Sequence, residues 1–172
     1  MSSDETVQVG PATRDRHVAQ ALAEVESLVR RAVGVRLFTV LAWDDERGAL
    51  HRVYTNDAVA YPLSGEKVMP GDAPWIVEVV VGQQTYLGRD LAAVAAVFSD
   101  YELIASLGCG AVINVPVVDD GRTLGVLNLL DAEGAYDDAA VAAALPLAGR
   151  CIPALRAWHD ESPGPQPTKE SA

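Results

Sequence analysis

The chain has 172 residues, 49% of them hydrophobic, which is enough to bury one substantial core and gives no sign of a second. Its 24 acidic residues outnumber 13 basic ones for a net charge of −11, and a surface of that sign repels phosphate backbones and anionic lipid, which argues against nucleic acid or a membrane as partner. Two cysteines, Cys109 and Cys151, are too few for a disulfide framework or a thiolate metal site.

Residues 1–12 are polar and residues 159–172 are proline-rich, so both are expected to be disordered tails around one domain spanning 13–158. No apolar run approaches the roughly 18 residues of a membrane helix, and the N-terminus has neither part of a signal peptide; a cytoplasmic location is the expectation. From Thr13 to Val33 apolar residues recur every three or four positions and Gly34 follows, which predicts an amphipathic helix. The β-rich runs 36–43 and 50–55, separated by "DDERGA", predict a hairpin. Residues 56–73 are too many for a turn and predict a functional or disordered loop. "APWIVEVVVG" predicts a short helix with Pro74 in its first turn and Gly82 at its end, and "QQTYLG" a short strand. In "SDYELIASLG", Ser99 and Glu102 have the spacing of a capping box, and Gly108 closes that helix. A second hairpin occupies 109–131, and an amphipathic helix runs from Tyr136 to Trp158, bent at Pro146 and Pro153. Two hairpins without a strand-helix-strand repeat predict an antiparallel sheet of the α+β class.

The second hairpin carries an asparagine in each apolar strand, Asn114 and Asn128. An unpartnered amide in a core costs about 1–3 kcal/mol, so each needs a partner or a wet cavity. A two-residue turn at Asp120 and Gly121 would send the two amides to opposite faces. A three-residue loop of Asp119, Asp120 and Gly121 instead puts Ala111, Ile113, Val115 and Val117 with Gly125, Leu127 and Leu129 on one apolar face. Both asparagines then share the other face, diagonal to one another. The apolar face is expected to pack on the terminal helices, with Val18, Leu22, Val25 and Val29 meeting Val141, Leu145, Ile152 and Leu155. The amide-bearing face is left for residues 56–108 to cover, as a lid over a small-molecule pocket. The asparagines either line that pocket or hold the lid down.

In regular alternation Arg52 shares a face with Tyr54 and Asn56; there it would fork onto a carboxylate or phosphate, or else it is a solvent-facing arginine near an edge. Trp75 and Tyr61 belong to the covering segment, as pocket walls or as lid anchors. Cys109 lies between two glycines at the pocket edge, yet it follows a helix C-terminus, whose partial charge disfavours a thiolate. Cys151 belongs to the closing helix. His17, His51 and His159 lack ligand spacing, so no metal site is expected. No paired carboxylates or nucleophile-base pair stands out as catalytic.

The order of elements, with "RLFTVLAWD" as first strand and "AVINVPVVDDGRTLGVLNLLD" as the late hairpin, resembles the GAF domain family over about residues 13–158. "VYTNDAVAYPLSG", "APW" and "ELIASLGCGAVINVPV" look like a subgroup of stand-alone bacterial GAF proteins, for which no ligand or cofactor can be named. The resemblance implies a profilin-like sandwich: a central antiparallel sheet, terminal helices on one face, and loops and short helices over a ligand pocket on the other. It implies a regulatory sensor of cyclic nucleotides, tetrapyrroles or small metabolites, and a homodimer through the terminal helices, with Ala21, Leu28 and Trp158 in the seam. The pattern departs from bilin-binding members, which carry a cysteine in the middle region, and from the methionine sulfoxide reductases of the family, which need several cysteines where this chain offers Cys109. No output segment is expected in cis, and a signal would then leave through a protein partner in trans. The resulting expectation is a sensor of a small polar or anionic metabolite with Arg52, Tyr54, Tyr61, Trp75, Cys109, Asn114 and Asn128 at its site. The alternatives are a thiol-dependent enzyme like the methionine sulfoxide reductases and a structural dimerisation module.

Overall fold

The computed structural model describes residues 11–63 and 66–161, with side chains from residue 15 onward. Helix α1 (Pro11–Ala32) opens the chain and stops at Gly34, whose φ of 90° suits a residue without a Cβ. Strands β1 (Leu37–Asp44) and β2 (Ala49–Thr55) form the first hairpin. A three-residue strand, β3 (Glu66–Val68), follows inside the segment read as loop; it is exposed along its length and too short to register as a pattern. Pro74 and Trp75 open a helical turn that widens into a π-helix, Ile76–Val81, closed by Gly82 N–H donating five residues back to Val77 O at 2.8 Å. Its consecutive valines are poor α-formers.

After β4 (Tyr86–Gly88) comes helix α2 (Leu91–Val97), which the sequence reading left unassigned. Asp90 caps it by accepting the Ala93 N–H at 2.9 Å. Helix α3 (Tyr101–Ser106) begins after Asp100, and the expected Ser99–Glu102 box does not form; Asp100 holds the cap position and its carboxylate is taken by Tyr61. Strands β5 (Ala111–Asp119) and β6 (Arg122–Asp131) make the second hairpin. Helix α4 (Asp138–Ala148), a 3-10 turn at Gly149–Cys151 and α5 (Ile152–Glu161) complete the described chain. The helix continues through Pro146 and breaks just after it, while Pro153 lies in the first turn of α5, where its missing N–H is not needed. Thus α1 and α5 run slightly past the expected domain boundaries; the rest of both expected tails lies outside the described residues.

All six strands join one antiparallel sheet in the order β3-β2-β1-β6-β5-β4. One face carries Phe38, Val40, Ile113, Val115, Leu127 and Leu129 against Leu22, Val25 and Val29 of α1 and Ala148, Cys151 and Leu155 of the C-terminal helices. The other face carries Val112, Val126 and Leu130 and is covered by the π-helix, α2, α3 and the loop around Tyr61. The α+β sandwich therefore has the facing that strand alternation predicted. Leu145 is a correction: it is exposed, and the neighbouring Ala144 faces the sheet. Small residues there bring the helix close, and Gly125 lies beneath Leu155. The rod Asp138–Glu161, with an 18-residue window of mean hydropathy 1.3, is long and apolar enough by length and composition to cross a membrane. The sequence reading missed this by looking for an uninterrupted apolar run, whereas Asp138 and Arg150 punctuate this one; its buried stripe faces the sheet.

The hairpin turn also differs in detail. Asp119 pairs with Arg122, so the turn is the two residues Asp120 and Gly121, both with positive φ (50° and 76°). A bulge between Val117 and Val118 shifts the register and restores the parity that a three-residue loop was invoked to supply. Asn114 therefore stands directly opposite Asn128 rather than diagonal to it.

Candidate functional site

Between the amide-bearing face and its cover lies a cavity of about 160 Å³. Leu37, Thr39 and Leu41 of β1, Asn128 and Leu130 of β6, and Leu50 and Arg52 of β2 form its floor. Tyr61, Glu66, Lys67, Met69, Trp75, Phe98, Asp100 and Ile104 contribute its walls and rim. The lining is mostly aliphatic and aromatic with a few convergent polar groups, the composition of a small-molecule site.

Four buried polar side chains form a chain across the sheet. Trp75 Nε1 donates to Asn114 Oδ1 at 3.0 Å, Asn114 Nδ2 to Asn128 Oδ1 at 2.6 Å, and Asn128 Nδ2 to Thr39 Oγ1 at 3.2 Å. The two asparagines thus divide the roles that the sequence left open. Asn128 borders the cavity, whereas Asn114 lies behind Trp75 and fixes the indole that forms a wall.

A second group brings Arg52, Tyr61 and Asp100 together at the cavity. Tyr61 Oη donates to Asp100 Oδ2 at 2.5 Å, and the Arg52 guanidinium lies 4.7 Å from the centre of the Tyr61 ring while Nη1 donates to Pro62 O at 3.0 Å. Burial lowers the Arg52 pKa from its ordinary value, opposed by Tyr61 and Asp100, whose negative forms favour the cation. Burial and the Asp100 carboxylate both raise the Tyr61 pKa, keeping the phenol a donor. Tyr61 and Asp100 thereby tie the loop after β2 to the start of α3.

Arg52, Tyr61, Trp75 and Asn128 of the expected set meet at the cavity; Tyr54, Cys109 and Asn114 do not line it. Tyr54 is separated from Arg52 by a bulge. Val40 pairs with Tyr54 but Leu41 with Arg52, so Val53 is an extra residue and regular alternation fails between the two. Tyr54 consequently faces the helices, edge-on to Phe38 and donating to Glu26 Oε1 at 2.7 Å. Cys109 is buried among Leu37, Tyr61, Ile104 and Leu130. Burial pushes its thiol pKa up, outweighing the nearby Arg36 charge. Cys151 is fully buried and pushed up to about 12 by burial alone. Among the described residues no cluster of three or more His, Cys, Asp or Glu side chains is placed to hold a metal.

Sequence reasoning missed Thr39, Phe98, Asp100, Glu66 and Lys67. Thr39 was detectable as the polar residue between Leu37 and Leu41 on alternate positions of β1; the others depend on how the lid folds back. Of the expected seam, Ala21 and Trp158 are partly buried against the core, with Trp158 centred 5.2 Å from the His51 ring, and Leu28 is half-buried.

The GAF domain family model matches residues 17–154. No curated protein matches the chain. Among solved structures, it is similar to the GAF domain/HD domain protein from Geobacter sulfurreducens (16% identity, 86% of this chain and 97% of that one covered, TM-score 0.67). It is also similar to the GAF domain of a two-component sensor histidine kinase from Bacillus halodurans (13%, 81% and 94%, 0.64). A third likeness is to type II free methionine-R-sulfoxide reductase from Thermoplasma acidophilum (14%, 83% and 94%, 0.63). Likenesses at these identities speak to the fold alone.

Proposed function

This chain belongs to the GAF domain family, and from that premise we propose that it is a sensory or regulatory domain whose cavity binds a small polar or anionic molecule without transforming it. The observation that carries this reading is the cavity of about 160 Å³ between the sheet and its cover, where apolar walls surround Arg52, Thr39 and Asn128. A packed, filled space there would have favoured the dimerisation module. The thiol-dependent reading draws no support from Cys109, which lies buried outside the cavity lining with its pKa raised.

In this proposal the ligand orders the lid and thereby biases a partner's binding, by preferring one lid arrangement over another. Trp75 is the natural reporter, since it forms a wall and opens the π-helix. We extend the proposal to a cytoplasmic homodimer joined through its terminal helices and signalling to a protein partner, with nucleic acid and membrane disfavoured by the net charge of −11. The test is a thermal-shift screen of small metabolites on the intact chain and on a cavity-filling Leu41→Phe variant. A ligand at about 100 times its Kd should stabilise the native chain by about 2.7 kcal/mol and leave the variant unmoved. A broad panel that shifts neither protein would remove the reading.

A further inference from the structure

The hydrogen-bonded side chains that cross the sheet have a direction. An indole N–H can only donate, so Trp75 Nε1 requires the amide oxygen of Asn114, which it meets at 3.0 Å. Asn114 then presents Nδ2 to Asn128 Oδ1 at 2.6 Å, and Asn128 presents Nδ2 to Thr39 Oγ1 at 3.2 Å. Every bond donates away from Trp75, and bonds aligned in this way polarise one another. Donors are therefore left over at the far end. Thr39 Oγ1 accepts from Asn128 and still has its own hydrogen to give, and Asn128 Nδ2 carries a second hydrogen. Among the described residues no acceptor takes either one, and polar groups so deeply placed normally find partners. Asn114 is closed in at 1% exposure, whereas Thr39 and Asn128 each keep 5% and both border the cavity. We propose that the cavity takes a small uncharged molecule with a compact apolar body, whose carbonyl-type oxygen accepts from Thr39 and Asn128. This rests on the reading of the cavity as the binding site and narrows it to the polar, neutral case.

The charged side chains at the cavity are engaged elsewhere. Arg52 donates Nη1 to Pro62 O at 3.0 Å and lies over the Tyr61 ring, with its Nε buried. Asp100 accepts from Tyr61 at 2.5 Å. Glu66 and Lys67 belong to the exposed strand β3, and the formal charges of the four cancel. An ion held at Thr39 would leave water without a free counter-charge, whereas a carbonyl needs only the donors already there. Size sets the rest. A space of about 160 Å³ is comparable to engineered cavities of about 150 Å³ that admit benzene. The body is therefore one ring or a short branched chain, and Leu41, Leu50, Leu130, Trp75 and Phe98 supply its apolar walls.

The experiment titrates the full chain with cyclohexanone and with methylenecyclohexane, which has the same shape and no acceptor, following tryptophan fluorescence and heat of binding. Cyclohexanecarboxylate and cyclohexylammonium supply the two signs of charge. The ketone should saturate and bind more tightly than either ion. Thr39→Val, which keeps the shape and removes the hydroxyl, should weaken the ketone by about two- to tenfold, the range for one neutral hydrogen bond. It should leave the hydrocarbon unchanged, and Thr39→Ser, which keeps the hydroxyl, should bind the ketone as the parent does. A ketone indifferent to Thr39→Val, a hydrocarbon weakened as much as the ketone, or an ion binding more tightly than the ketone would overturn the proposal. If Thr39→Val does not fold, the infrared carbonyl stretch of isotope-labelled cyclohexanone bound to the unaltered chain decides. It should lie below its value in hexane, as for a carbonyl that accepts a hydrogen bond, and an unshifted band defeats the proposal. Hydrocarbon that binds where the ketone does not defeats the acceptor class but keeps the cavity; if neither binds, the class is overturned, and the metabolite screen judges the cavity reading separately.

Discussion

Asn114 and Asn128 stand directly across from one another on β5 and β6, and the Asn114 amide donates to the Asn128 carbonyl at 2.6 Å. The pair links Trp75 in the lid to Thr39 on the cavity floor, and all four side chains are buried. Asn114→Ala strips the acceptor from an indole N–H and the donor from an amide oxygen, at about 1–3 kcal/mol for each buried group left unpaired. Urea unfolding should show that loss. A double-mutant cycle with Trp75→Phe should give a coupling of about 0.5–3 kcal/mol, as for side chains in one network. A coupling of zero would mean that the lid is not held by this bond.

Gly125 is hemmed in by the β1 backbone beside it and by Leu155 of the C-terminal helix above it. A Cβ there would come 2.1 Å from the Leu41 backbone oxygen and 3.0 Å from Leu155 Cδ1. The first neighbour is backbone in the middle of β1 and cannot step aside. Gly125→Ala should therefore destabilise by about 1–3 kcal/mol or more. Gly149→Ala is the matched control: nothing lies within 4 Å of the added methyl, and φ is −61°. That change should stabilise by about 0.4–1 kcal/mol, through the unfolded chain. Equal effects at the two positions would contradict the packing described.

The sheet's facing was legible because burial of one side writes itself as alternation, and Ile113, Val115, Leu127 and Leu129 keep step over a long enough run to set the phase. The bulges at Val53 and between Val117 and Val118 were not legible, since an extra residue changes no composition. At β5 and β6 the error cancelled, a shorter turn and a bulge giving the same parity as a longer loop. At β2 it did not, and Tyr54 went to the wrong face. Helix α2 does carry a readable signal, Asp90 ahead of an alanine-rich run. Strand β3 carried none, being three exposed residues held by pairing to β2. The site was half-legible for a related reason: Arg52, Trp75 and Asn128 stand out by type, whereas Asp100 and Phe98 reach the cavity only through the tertiary path of the lid.

Cys109 and Cys151 should both be sluggish. Each is buried, and burial raises each thiol pKa, so the thiolate that reacts with a disulfide probe is scarce and covered. Labelling of the native chain near pH 8 should be much slower than labelling in urea, and its rate should follow local or global opening. Fast labelling of Cys109 in the folded protein would revive a thiol-dependent activity.

Tyr54, Tyr61 and Tyr136 make stability fall at alkaline pH. Burial is the first cause of the raised pKa in all three, followed in Tyr54 and Tyr61 by hydrogen bonds to Glu26 and Asp100. Each phenol therefore keeps its proton in the native state beyond the ordinary value of 10.0, while the unfolded chain releases it near that value. The native state then binds more protons than the unfolded one, so unfolding becomes easier as pH rises. Their contribution is complete below about pH 10 and is lost on the way up through the native pKa values. Urea unfolding at increasing pH should show stability declining above that point, with tyrosinate absorbance from these residues appearing together with loss of structure. Tyr61→Phe removes one of the titrating groups and should flatten the decline, although it starts from a lower stability because Asp100 loses its donor. A Tyr61→Phe protein as alkali-sensitive as the parent, or tyrosinate formed at ordinary pH while the fold persists, would show that these phenols do not hold the lid and helices as described.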